Sequence, residues 1–139
     1  MLTAREISDD AGEPLRAAGV AERCELRAGD FFEAIPAHGD AYLMSHLLHD
    51  WDDEPAKKLL KRTRSVMNPG TRLLIIEKLI PPGNEPSLAK LMDIHMLVLS
   101  GGLERTEEEY RRLLADTGFR LERIVPTASI MSVLEARPV

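Results

Sequence analysis

An α/β fold built around a doubly wound, largely buried sheet is what this sequence predicts, and three observations predict it. Apolar runs of strand length alternate with segments whose apolar residues recur at helical spacing. Gly and Pro fall at intervals between these segments, with no repeat, low-complexity tract or long linker. The last two apolar segments are joined by a tight connection around Pro126, as in an antiparallel pair closing the sheet.

The elements justify this in order. Residues 1–12 are polar and read as irregular. Residues 13–18 suit a short helix ended by Gly19, and residues 24–28 alternate as a strand that Gly29-Asp30 closes. Residues 41–48 are an almost unbroken apolar run after Gly39-Asp40, the pattern of a strand covered on both faces in a parallel sheet. The period changes at Asp52. Ala56, Leu59, Leu60, Val66 and Met67 recur at helical spacing, with Asp52, Asp53 and Glu54 at the positive end of the helix dipole and Lys61, Arg62 and Arg64 towards the other. Asn68-Pro69-Gly70 stops that helix. Residues 72–79 are a second buried strand, Pro81-Pro82-Gly83 a turn, and residues 87–99 a helix broken by Gly101-Gly102. Thr106 with Glu109 three residues on is a capping box, opening a helix through Tyr110, Leu113 and Leu114 to Gly118. Residues 119–125 and 129–136 supply the final two strands. Strand, helix, strand, helices, strand, strand is the ending of a doubly wound α/β domain.

Composition narrows the function. A length of 139 residues is one domain's worth, and 44% hydrophobic with 29% charged residues excludes a disordered chain. The 18 basic and 23 acidic residues are interspersed, so no basic face is offered to nucleic acid or to an anionic membrane. Cys24 is the single cysteine, which rules out an internal disulfide and fits a reducing compartment. Apolar runs such as residues 73–76 are far too short for a membrane span, and the first residues lack a signal peptide's apolar core, so the expected location is cytoplasmic.

The chemistry-bearing residues lie in a series of short motifs. Gly29-Asp30-Phe31-Phe32, His46 through Glu54 (HLLHDWDDE), Met67-Asn68-Pro69-Gly70, Gly101 through Thr106 (GGLERT) and Thr117-Gly118-Phe119 stand in this order at sensible spacing. Each alone is weak; in register they are specific. From about residue 15 to its end the chain resembles the small-molecule O-methyltransferases that use S-adenosylmethionine to methylate plant phenols and bacterial aromatic polyketides, the bacterial branch more closely.

The resemblance implies roles residue by residue. Asp30 and Phe31 match positions that hold the adenine, a carboxylate for its amino hydrogens and an aromatic face for its ring. Ser45 and Trp51 match the cofactor's side of the pocket, although Trp51 is equally an anchor for the following helix. His49 matches the general base, an imidazole with an ordinary pKa of roughly 6.5 that is mostly neutral at cellular pH. Glu77 and Glu104 match the acids flanking that base, able to fix its tautomer and stabilise its cation. Glu104 has a second reading, as a charge favouring the helix that Thr106 caps. Asp50 and Met96 match the acceptor side, and Met96 reads equally as core on the stripe Leu91, Ile94, Val98. Asp93 and His95 read as helix surface or pocket edge. A metal site on His46, His49 and Asp50 is rejected, because a strand over residues 41–48 sends the two histidines to opposite faces and the family resembled is metal-independent.

The implied fold is an incomplete Rossmann-like methyltransferase domain, one partial catalytic domain over residues 1–139. The family's glycine-rich loop, its first two strands, the acid that holds the ribose and the helical dimerisation domain have no counterpart before Asp30. The segment at residues 24–28 then lacks its neighbours. Expected partners are a small aromatic acceptor and either a second copy or a complementary N-terminal fragment. The alternative is a non-catalytic methyltransferase remnant that binds a ligand or a protein.

Overall fold

The computed structural model describes residues 12–139, so the irregular stretch expected over residues 1–12 lies outside it except at Gly12, which begins a helix. The described residues form two compact units that part between Ile35 and Pro36.

The first unit holds helix α1 (Gly12–Ala17), which ends where Gly19 takes φ 67°, a left-handed conformation that costs glycine little. A 3-10 turn over Ala21–Arg23 follows, and residues 24–30 run on exposed. The strand expected over residues 24–28 is not formed. A strand needs a neighbour's N–H and C=O groups, and among the described residues no strand pairs with this segment. Leu26 is 46% exposed, and the flanking Glu25 and Arg27 pair with each other at 2.8 Å.

The second unit is a mixed sheet in the order β1-β2-β5-β4, with β1 at Ala41–Ser45, β2 at Arg72–Ile80, β4 at Phe119–Pro126 and β5 at Met131–Pro138. β1 and β2 are parallel, from Ala41 opposite Arg72 to Ser45 opposite Ile76, whereas β5 runs antiparallel to both β2 and β4. The two-residue β3 (Arg105–Thr106), too short to read from periodicity, pairs in parallel with Leu79 and Ile80. The helices are α2 (Asp53–Val66), α3 (Leu88–Leu99) and α4 (Glu107–Ala115). Their caps are local and follow the sequence: Asp52 accepts from the Glu54 N–H, Ser87 from Lys90, and Thr106 with Glu109 closes both halves of the capping box. Ala56, Leu59 and Leu60 of α2 and Tyr110, Leu113 and Leu114 of α4 are buried along with Leu73, Ile75, Phe119, Leu134 and Ala136 of the sheet. Each large side chain there stabilises the unit by about 1.5–3 kcal/mol relative to leaving it exposed.

Two apolar segments behave differently from expectation. The run at residues 41–48 is not a strand covered on both faces: β1 stops at Ser45, pairs among the described residues with β2 alone, and leaves Leu43 62% exposed. The chain then turns at His46, whose φ is 52°, and a 3-10 turn at Leu48–Asp50 drives Leu48 into the core instead. The stripe Leu91, Ile94, Val98 on α3 is not core either, with exposures of 60, 62 and 78%. Among the described residues no helix is long and apolar enough to cross a membrane.

Candidate active site

Three segments meet at the C-terminal end of β2, the edge where ligands of open α/β sheets bind. They are the last residues of β2, the turn that follows β1, and the glycine-rich segment leading into β3.

The turn carries His49, and three contacts hold it. From β2, Glu77 accepts through Oε1 from the N–H groups of Leu47 and Leu48 at 3.0 and 2.9 Å. Arg105, fully buried, donates to the carbonyls of Leu48 and Trp51, each at 3.0 Å, so it grips the turn near both ends. Its charge is balanced by Asp53 Oδ1 at 2.9 Å, and its guanidinium lies 5.9 Å from the centre of the buried Tyr110 ring. The third contact is Gly102. A Cβ there would collide with the His49 carbonyl oxygen and lie 2.6 Å from the Asp50 carbonyl carbon, so only glycine admits the turn at this distance.

The imidazole of His49 is 7% exposed, with Nδ1 2.8 Å from Glu77 Oε2 and 3.8 Å from Glu104 Oε1. The Glu77 oxygen lies out of line with the ring N–H, so this close approach is a charge contact more than a directed hydrogen bond. On the other side of the ring, Nε2 has Asp50 Oδ1 at 3.5 Å. The Glu77 carboxylate raises the His49 pKa above its ordinary 6.5, against burial, which lowers it. For Glu77, burial is the largest influence and pushes upwards, yet His49 and the two backbone N–H groups outweigh it, so its carboxyl titrates below the ordinary 4.5.

Glu104 is turned into this cluster and not towards the helix it precedes. It is 1% exposed, its N–H donates to Asp93 Oδ1 at 2.9 Å, and its Oε1 meets Lys78 Nζ at 2.8 Å. The capping of α4 is left to Thr106 and Glu109. His49, Glu77 and Glu104 bring their donor atoms within 4.8 Å of one another, a spacing that suits a cation, and the cation this sequence supplies there is the Lys78 ammonium.

The other expected site residues are placed as follows. Ser45 is exposed at the end of β1, Trp51 is half-buried just after the His49 turn, and Met96 is half-buried on α3. Asp30 and Phe31 belong to the first unit. There Asp30 Oδ1 accepts from the Phe32 N–H at 2.7 Å, and the Phe31 ring lies 4.9 Å from that of Phe32. His46 and His49 are not on opposite faces: the strand ends before them, and their rings meet edge to face at 5.6 Å. Lys78 and Arg105 have no part in the sequence reading, and Asp93, read there as helix surface or pocket edge, holds the Glu104 N–H. The signals were a lone acid in an otherwise apolar helix for Asp93, and cations inside apolar or glycine-rich surroundings for the other two.

Known proteins resemble this chain in both sequence and shape. The family model for the O-methyltransferase domain matches residues 5–120. The phenazine O-methyltransferase PhzM of Lysobacter antibioticus is 48% identical over 133 residues, covering 96% of this chain and 39% of that protein. The solved structure of LaPhzM superposes with a TM-score of 0.92 at 46% identity, over all of this chain and 42% of that one. NcsB1 of neocarzinostatin biosynthesis, solved with S-adenosylmethionine and 2-hydroxy-5-methyl naphthoic acid, is 30% identical with a TM-score of 0.83, over 95% of this chain and 38% of its own. The chain therefore belongs to the O-methyltransferase domain family, and it spans about two fifths of the length of these relatives.

Proposed function

We propose that this chain is the acceptor-activating part of an S-adenosylmethionine-dependent O-methyltransferase of bacterial secondary metabolism, acting on the hydroxyl of a small phenolic or polyketide aromatic. The observation that carries the reading is His49, held by Glu77 on Nδ1 while Nε2 faces away from both buried glutamates. Relatives named as a phenazine O-methyltransferase, a mitomycin biosynthesis 6-O-methyltransferase and a 3-amino-4-hydroxybenzoate 4-O-methyltransferase support the acceptor class.

The residues present fit the cofactor in chemistry. Asp30 keeps a second carboxylate oxygen beyond the one engaged by Phe32, and Phe31 offers a half-buried aromatic face, the pair an adenine edge and ring require. When bound, S-adenosylmethionine supplies a methyl group activated by its sulfonium. His49 Nε2 accepts the acceptor's hydroxyl proton, Glu77 and Glu104 stabilise the resulting imidazolium, and Asp50 borders the approach. Ser45 and Trp51 line the cofactor's side and Met96 the acceptor's. Because proximity alone supplies much of such a transfer, alignment by the pocket works beside the base.

On this reading the exposed side of β1 takes a further strand from outside the described residues, and a second copy or a complementary N-terminal fragment is the natural partner. The test is methyl transfer to hydroxylated aromatics by the chain joined to the N-terminal portion of the phenazine relative. His49→Gln is expected to slow it by about 10²-fold or more. An unchanged rate would remove His49 from the base role, and a joined protein without any transfer would leave a non-catalytic remnant.

A further inference from the structure

Charge inside the His49 cluster does not balance on the two glutamates and the imidazole alone. On its own turn His49 faces Asp50 at Nε2 and the His46 ring at 5.6 Å. From β2 it faces Glu77 and Lys78, and from the segment before α4, Glu104, while Arg105 holds the main chain of the same turn. Tyr110 of α4 lies against Arg105, and Asp93 of α3 holds the Glu104 N–H. Arg105 is committed to Asp53 and to main-chain carbonyls, so its charge is already matched. Two buried carboxylates then stand beside Nδ1 with one cation left to answer them, Lys78, itself only 8% exposed.

We propose that Lys78 is a positioning residue for the His49 base: its ammonium, clamped on Glu104 Oε1 at 2.8 Å, takes up one of the two carboxylate charges and leaves the imidazole able to give up its proton. An imidazole pressed by two unpaired carboxylates stays cationic, and a cation accepts no proton from an acceptor. The ammonium opposes the upward pull of both glutamates on the His49 pKa. It also fixes where Glu104 points, since a buried ammonium and a buried carboxylate are each costly without the other.

The inference rests on the methyltransferase reading for its consequence, but its test does not. In the 139-residue chain the imidazole of His49 is titrated by NMR, with His49→Gln used to assign its resonance. Lys78→Met is expected to raise the midpoint by about one pH unit, a tenfold smaller neutral fraction at a given pH, and Lys78→Arg to restore it. A midpoint unchanged or lowered in Lys78→Met overturns the proposal, as does an Arg variant shifted like the Met one. Should Lys78→Met not fold, the wild-type chain carrying 13C-lysine decides. A Lys78 Cε resonance that moves at the His49 midpoint supports the coupling, and a flat one overturns it. If the midpoint rises as expected while His49→Gln leaves methylation untouched in the joined protein, the charge coupling stands and only the base role falls.

Discussion

At the scale of single residues, the His49–Glu77 contact sets how both activity and stability follow pH. A base works only when neutral, so methylation should rise as pH passes through the raised His49 pKa; in Glu77→Gln that rise should move to lower pH, read from the rate profile of the joined protein. Stability follows the two shifts with opposite signs. The raised His49 pKa contributes stability that is complete below the imidazole's ordinary 6.5 and is lost as pH climbs through the folded value. The lowered Glu77 pKa contributes stability that is complete above the ordinary 4.5 and is lost as pH falls through the folded value. The contact is therefore strongest between 4.5 and 6.5. Urea midpoints measured from about pH 3 to about pH 9 should decline on both sides of that window, and less so in Glu77→Gln.

At the scale of elements, the glycine-rich segment and the His49 turn behave as one piece. Gly102→Ala must push the two apart, which should cost about 1–3 kcal/mol in denaturant unfolding and displace the His49 resonances. Thr106→Ala removes the acceptor of the Glu109 N–H and should cost about 1 kcal/mol while leaving those resonances in place. The contrast separates a contact that builds the site from one that only caps a helix. What was readable from the sequence divides along the same line. The capping box of α4 was legible because Thr106 and Glu109 sit three residues apart, whereas Asp52 and Ser87, read only as a first-turn charge and a helix's first residue, turn out to cap α2 and α3. The end of β1 was not, because the apolar run continues through His46 and only the tertiary pull on Leu48 bends it. Residues 24–28 have a strand's alternation without a neighbour to pair with. In the site, His49, Glu77 and Glu104 could be named from ordered motifs, whereas Lys78 and Arg105 gain meaning only from partners 26 and 52 residues away.

At the scale of the whole molecule, the described residues leave apolar surface exposed. Among the described residues no strand pairs with β1 beyond β2 and Leu43 is exposed, while α3 exposes Leu91, Ile94, Leu97 and Val98. The isolated chain should therefore bind S-adenosylmethionine weakly or not at all by calorimetric titration, and micromolar binding would contradict this. Light scattering should find it self-associated at high concentration, and a monodisperse monomer would count against that. Supplying the N-terminal portion of the phenazine relative in trans should reduce the self-association.

Arg105 holds the turn through the carbonyl oxygens of Leu48 and Trp51, groups that every amino acid possesses. Position 51 can consequently change its side chain without loosening the grip on its own backbone. The side chain at position 51 can then be varied in a mutant library while the main-chain contacts that hold the His49 turn are kept. On the proposed reading of Trp51, changes on the cofactor's side of the pocket are then reachable by single steps at this position without first rebuilding the turn that carries His49.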